Sequence, residues 1–125
     1  MAYANTVTVT RTSREVVVTV TETECEATSE ADPIDLGFSR GRILRQTCVK
    51  TSGAGATVDP IIGTTTNPSG AAVVLENDTA AATVDNQVAG GATFNGSILY
   101  HRSNPASGTD NAITTVYHIL IGWGQ

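Results

Sequence analysis

The 125-residue chain sets seven Lys and Arg against twelve Asp and Glu, a formal net charge of -5, so it offers no basic surface for a phosphate backbone, and nucleic acid is not an expected partner. Its length suits one domain spanning 1-125 and burying about two-thirds of its unfolded surface. No run reaches the ~20 apolar residues of a membrane-spanning helix, and the polar opening Met1–Asn5 lacks the basic start and apolar core of a signal peptide.

With 40% hydrophobic but only 5% aromatic residues, the core has to be built from Val, Ile, Leu and Ala. Charged residues make up 15%, below the roughly 25% typical of soluble domains, which suits a surface that will be covered. The chain opens on Thr6-Val7-Thr8-Val9-Thr10 and resumes with Val16-Val17-Val18-Thr19-Val20-Thr21. Period-two alternation predicts a β-hairpin, Thr6 to Thr12 and Arg14 to Glu24, with Ser13 at the turn. Val7, Val9, Val16, Val18 and Val20 would face the core, and Thr8, Thr10, Thr19 and Thr21 the solvent side.

From Glu22 to Asp35 the text turns acidic and carries the turn signal Asp32-Pro33, which reads as an exposed connection. Gly41 to Ser52 reads as a third strand bearing the cations Arg40, Arg42, Arg45 and Lys50. These charges can be satisfied within one molecule by the preceding carboxylates, or can join neighbouring subunits. Between Ser52 and Asn95, stops at Gly53-Ala54-Gly55, Asp59-Pro60, Asn67-Pro68, Asn77-Asp78 and Gly90-Gly91 punctuate short strands expected at Thr57–Ile62, Ala71–Leu75, Ala81–Val84 and Gln87–Phe94. A helix over Gly70–Val84 is the alternative, disfavoured by β-branched residues and Asn77-Asp78.

Ser97–Arg102 and Ala112–Gly122 are predicted as strands of a second hairpin. In the last, Val116, His118 and Leu120 fall on one face and Tyr117, Ile119 and Ile121 on the other, so the strand belongs either in the middle of a sandwich or at a subunit interface. The fold class expected is all-β, an antiparallel β-sandwich or jelly-roll-like barrel.

Chemical motifs are sparse. Gly37-Phe38-Ser39-Arg40-Gly41 matches the G-x-S-x-G nucleophile elbow, but a β-like run follows it where the elbow needs a helix. His101 and His118 have no companion ligands at metal-binding spacing, and the acidic stretch lacks the fixed loop spacing of a calcium site. Cys25 and Cys48 lie in or beside strands and are expected as free thiols, with a bridge as the alternative. The Asn77 and Asn95 glycosylation patterns have no secretory context. No cofactor and no enzymatic activity are expected.

In length, composition and strand-rich text, from the Thr/Val opening to the apolar ending Tyr117-His118-Ile119-Leu120-Ile121-Gly122-Trp123, the chain resembles the capsid cement, or decoration, proteins of tailed bacteriophages. That resemblance implies a virion structural protein, often trimeric, that binds and stabilises the assembled lattice of the major capsid protein. Arg40, Arg42, Tyr117 and Trp123 are the candidate interface residues, with Met1–Asn5 as a flexible arm or added edge strand. The alternatives are another virion part (neck, tail or fibre) or a carbohydrate- or receptor-binding β-sandwich using Tyr100, Tyr117 and Trp123.

Overall fold

The computed structural model describes residues 3–37, 40–53, 57–69, 72–76 and 83–122. Its strands are β1 (Ala4–Thr12), β2 (Glu15–Cys25), β3 (Asp32–Asp35), β4 (Arg40–Ser52), β5 (Ile61–Gly63), β6 (Val73–Glu76), β7 (Thr83–Asn95), β8 (Ile98–Arg102) and β9 (Asn111–Ile121). Among the described residues there is no α-helix. One sheet has the order β1-β2-β9-β4-β7 and the other β3-β8-β5-β6. All neighbouring pairs are antiparallel, and the two sheets enclose one main apolar cluster.

The pairing is nested: β2 with β9, β3 with β8, β4 with β7, and β5 with β6. A long antiparallel ribbon rolled up on itself produces this order, which is the jelly-roll winding of two four-stranded sheets. Strand β1 is added at one margin. The chain changes sheet at every connection except β1–β2 and β5–β6.

The opening hairpin forms as its alternation predicts, with Val7 opposite Val20, Val9 opposite Val18, and Ser13 at a positive φ of 42° in the turn. Val16, Val18 and Val20 are fully buried, each such side chain being worth about 1.5–3 kcal/mol of transfer free energy. At the margin the cover runs out, and Val9 remains 39% exposed. Of the expected arm Met1–Asn5, Ala4 and Asn5 are already in β1, and Met1 and Ala2 lie outside the described residues.

Three further expectations are corrected. Glu22 to Asp35 is not a solvated connection, because Glu22 and Asp32 are buried and Asp32–Asp35 is a strand. The strands β8 and β9 do not form a hairpin; they lie in opposite sheets, because Leu99 and Ile119 close the core from two sides. The separate strands expected at Ala81–Val84 and Gln87–Phe94 are, over the described residues, one strand, β7 (Thr83–Asn95), carrying a register shift. Gly91 sits within it at φ 74°, and a Cβ there would collide with the Arg42 stem, so the glycine admits a bulge instead of ending the strand. The helix alternative does not arise over Val73–Glu76, which is strand β6.

Strand β9 takes the first of its two expected positions, central between β2 and β4. Its odd-numbered residues from Asn111 to Ile121 are buried and its even-numbered ones half-buried.

Candidate functional site

Inside the sandwich a polar layer separates the main apolar cluster from a smaller one formed by Cys25, Cys48, Val58, Val84 and Ile113. Two bulges build it. A register shift between Glu22 and Cys25, where Glu24 adopts a positive φ of 54°, lets both residues point inward although they are three apart. A shift between Ile43 and Arg45 does the same for Ile43 and Gln46. A strict period of two would have sent one member of each pair to solvent.

The layer is hydrogen-bonded throughout its centre. Gln46 donates Nε2–H to the Tyr117 hydroxyl at 3.0 Å, and that hydroxyl meets His101 Nδ1 at 2.5 Å. With Gln46 donating into it, the phenol gives its proton to Nδ1 and leaves the ring proton on Nε2. Nε2 faces Glu22 Oε1 at 3.2 Å, Ser103 Oγ at 3.0 Å and Thr115 Oγ1 at 3.3 Å. Ser103 donates to the same Glu22 oxygen. The Tyr3 hydroxyl caps the layer from the amino terminus, 2.9 Å from Glu22 Oε2 and 2.8 Å from Asp32.

The electrostatics follow from this packing. Burial alone would raise the Glu22 carboxyl, but His101, Ser103 and Tyr3 stabilise the anion and bring it below the ordinary value. Asp32 goes the other way: burial pushes it up to about 6, with the neighbouring Glu22 charge adding to the rise. Cys25 and Cys48 are free and buried. Desolvation lifts their thiols to about 12 and about 11, which leaves them unreactive at neutral pH.

Glu22, His101 and Ser103 are the residue types of a nucleophilic relay, but they are not arranged as one. In a working triad the acid and the serine sit on opposite ring nitrogens. Here both sit on Nε2, Tyr117 takes the other nitrogen, and all three side chains are at most 1% exposed. The cluster is a hydrogen-bonded polar core that pins the two sheets in one registration, with Gln46 Oε1 left without a hydrogen-bond partner among the described residues.

The glycine-flanked serine motif also resolves into structure. Gly37, at φ 71°, makes a turn in which Asp35 Oδ1 accepts its N–H at 3.0 Å. Gly41 lies on the inner face of β4, where a Cβ would stand 2.8 Å from the Phe94 ring and from the Leu120 carbonyl oxygen. Strand β4 follows directly, not a helix. Ser39 lies outside the described residues.

Two outer faces remain. On the five-stranded sheet, register aligns Thr8–Thr19–Val116–Thr47–Asp85, Thr6–Thr21–Thr114–Val49–Thr83 and Thr12–Glu15–Leu120–Arg42–Thr93 in rows across the strands. This face is a lattice of threonine hydroxyls and methyls, with its charges on Glu15, Arg40, Arg42, Arg45 and Asp85. Its cation Arg45 pairs bidentately with Asp85 at 2.7 and 3.0 Å, and His118 meets Glu15 at 3.1 Å. Arg45 therefore draws its carboxylate from β7 and not from the acidic stretch. Arg40 and Arg42 share the face, both half-buried at the start of β4.

The four-stranded sheet is instead overhung by loops. A groove of about 600 Å³ on its outer side is lined by Thr28, Glu30, Pro33, Asn67, Tyr100 and Arg102. Arg102 ties its two walls together, donating to Asn67 Oδ1 at 2.6 Å and to the Ala27 carbonyl at 3.2 Å.

Of the expected interface residues, Arg40 and Arg42 are brought to one face. Tyr117 is not available to a partner: it is completely buried, because β9 turns its odd positions into the core. Trp123 lies outside the described residues. The polar layer is hidden in the sequence because the charges from Glu22 to Asp35 read as an exposed connection. The one signal was the continued alternation Val16-Val18-Val20-Glu22, which aims Glu22 inward. The described residues contain no group of three or more His, Cys, Asp or Glu fit to hold a metal ion. No family model matches the chain, and neither the curated proteins nor the solved structures contain a match.

Proposed function

We propose that this chain is a structural protein of a virion, a capsid decoration protein that binds the assembled lattice of a major capsid protein and stabilises it. The observation that carries the reading is the distribution of chemistry. The acid and base groups of the polar layer and the two thiols are sealed between the sheets, while a broad, threonine-rich β-face is turned outward. Such a molecule acts by presenting surface. Binding only the assembled state adds its binding free energy to that state. Arg40 and Arg42, at one end of the face, are the contacts best placed to meet acidic groups of the lattice.

The test is quantitative mass spectrometry of gradient-purified virions from the phage or prophage that encodes the chain. Hundreds of copies per particle support decoration. About a dozen, a stoichiometry of the order of one small symmetric ring, would move the protein to the neck or tail. Absence from the particle would overturn the virion reading.

A second reading, a carbohydrate- or receptor-binding module, is favoured by the groove around Tyr100. It combines one aromatic ring with Arg102, Asn67 and Glu30, the mixture of a flat apolar surface and convergent polar groups that sugars require. Saturable binding on a glycan array, lost in Tyr100→Ala, would support it.

A further inference from the structure

The margin of the five-stranded sheet is a nine-residue strand with nothing paired to its outer side among the described residues. Natural sheets usually blunt such a margin with prolines, bulges, inward-pointing charges or very short strands. Strand β1 carries one of these devices only at its end, where Arg11 shares the face of Val7 and Val9. It pairs with β2 without a register shift from Ala4 to Thr12, contains no proline, and its single charge is Arg11, one residue from the end.

The sequence of the strand is also a palindrome: Thr6-Val7-Thr8-Val9-Thr10 reads the same in both directions. Two copies running antiparallel about a two-fold axis through Thr8 would set Thr8 against Thr8, Val7 against Val9, Thr6 against Thr10, Asn5 against Arg11 and Ala4 against Thr12. Every position then meets its own kind or a neutral partner. Valines join valines on the inner face and threonines join threonines on the outer face, the cross-strand combinations that stabilise sheets. Val9 is one of only two large hydrophobic residues counted as exposed among the described residues, and this arrangement covers it with Val7 of the second copy.

We propose that the chain forms a two-fold homodimer through β1, joining two five-stranded sheets into one continuous sheet of ten strands. The occupant is a second copy of this chain because a palindromic edge is complementary to itself. The interface is isologous, closes on itself and so ends at two copies. It doubles the threonine-rich face without covering it, and gives a lattice-binding subunit two identical attachment faces. The inference does not depend on the virion reading. It departs from the three-fold state that the resemblance implies.

The experiment is light scattering after size exclusion on the full chain, with two variants. The wild type is expected at twice the 12.9 kDa chain mass. Thr8→Lys places like charges opposite each other on the axis and is expected to weaken dimerisation by about tenfold or more, equivalent to about 1.4 kcal/mol, leaving a folded monomer by circular dichroism. Thr8→Cys is expected to give a disulfide-linked dimer under mild oxidation, because directly opposed Cα atoms stand about 4.5–5.5 Å apart, within the span of a disulfide. Thr19→Cys, one strand inward, would leave the two thiols about 14 Å apart and uncrosslinked. A strict monomer or a trimer in the wild type would overturn the proposal. So would a dimer that survives Thr8→Lys while Thr8→Cys fails to crosslink, which would place the interface elsewhere. Should Thr8→Lys fail to fold, the two cysteine variants decide alone.

Discussion

The two sheets of this sandwich are made by different means. The five-stranded sheet consists of strands of 9 to 13 residues whose inner and outer positions alternate over long runs. The four-stranded sheet consists of strands of 3 to 5 residues, too short for a period to assert itself. It is held by what lies on either side: the polar layer beneath, through Asp32 and His101, and the Arg102-anchored loops above. A long strand carries its own instruction, whereas a short strand takes its place from the surfaces that enclose it.

That contrast is open to direct attack. The largest effect is expected where the sheets are pinned together. His101→Ala removes the group that joins Tyr117 above to Glu22, Ser103 and Thr115 below, and leaves the buried Glu22 carboxylate held by Ser103 and Tyr3 without the imidazole. A loss of about 3–5 kcal/mol is expected, a large part of the 5–15 kcal/mol that stabilises a domain, and urea unfolding measures it. If His101→Ala shifts the midpoint no more than a surface substitution, the polar layer is not what holds the short strands.

Gly41→Ala comes next. It pushes a methyl group against the Phe94 ring and the Leu120 carbonyl, and a loss of about 1–3 kcal/mol is expected from overpacking. Unlike His101→Ala it acts within the long-strand sheet. Unfolding should stay a single transition, which near-ultraviolet circular dichroism and intrinsic fluorescence can check by coincidence of their midpoints.

A smaller, pH-dependent effect belongs to Asp32. Its carboxyl, at about 6 in the folded protein, holds its proton over a range where an unfolded aspartate, at about 3.9, has released it. The folded state therefore binds more protons between those values, and stability falls as pH rises from about 4 to about 6. The depressed Glu22 group acts with the opposite sign, its contribution fading as pH falls below the ordinary glutamate value. Asp32→Asn should abolish the decline between pH 4 and 6, on the order of 1–2 kcal/mol after allowance for its coupling to Glu22. A variant whose stability profile parallels the wild type across that window would contradict the assignment.

The smallest effect is expected on the outer face of the long-strand sheet. Arg45→Ala breaks the exposed pair with Asp85, and the urea midpoint should not move measurably. A clear loss there would mean that the face contributes to stability as well as to presentation.

The same contrast explains what the sequence makes legible. Val16, Val18 and Val20 announce β2, and the run from Val116 to Ile121 announces β9 as a strand, but both of its faces are apolar, so the text does not say that Tyr117 belongs to the buried one. The jelly-roll winding is not written in any stretch of text, since β2 meets β9 only after the intervening strands have been placed. The polar layer was half readable. Glu22 keeps the valine register and is buried as that register demands, even though its charge suggests solvent. Gln46 breaks the register of Gly41 and Ile43, and only the bulge at Leu44 brings it to Tyr117. His101 gave no local signal: it lies in a five-residue strand, and its partners come from β2, β9 and the segment after β8.

The central place of β9 bears on how the chain comes to be folded at all. It is the last of the nine strands to leave the ribosome, yet it is the strand that joins β2 to β4. Until it arrives, the long sheet is two fragments with a gap between them, each exposing unpaired backbone and an apolar inner surface. Folding of the long sheet must therefore wait until β9 has been made and then close loops of great length, which makes it slow and leaves the unpaired fragments open to aggregation. A long exposure of open strand edges, ended by the seating of one central strand, is the life history this topology favours.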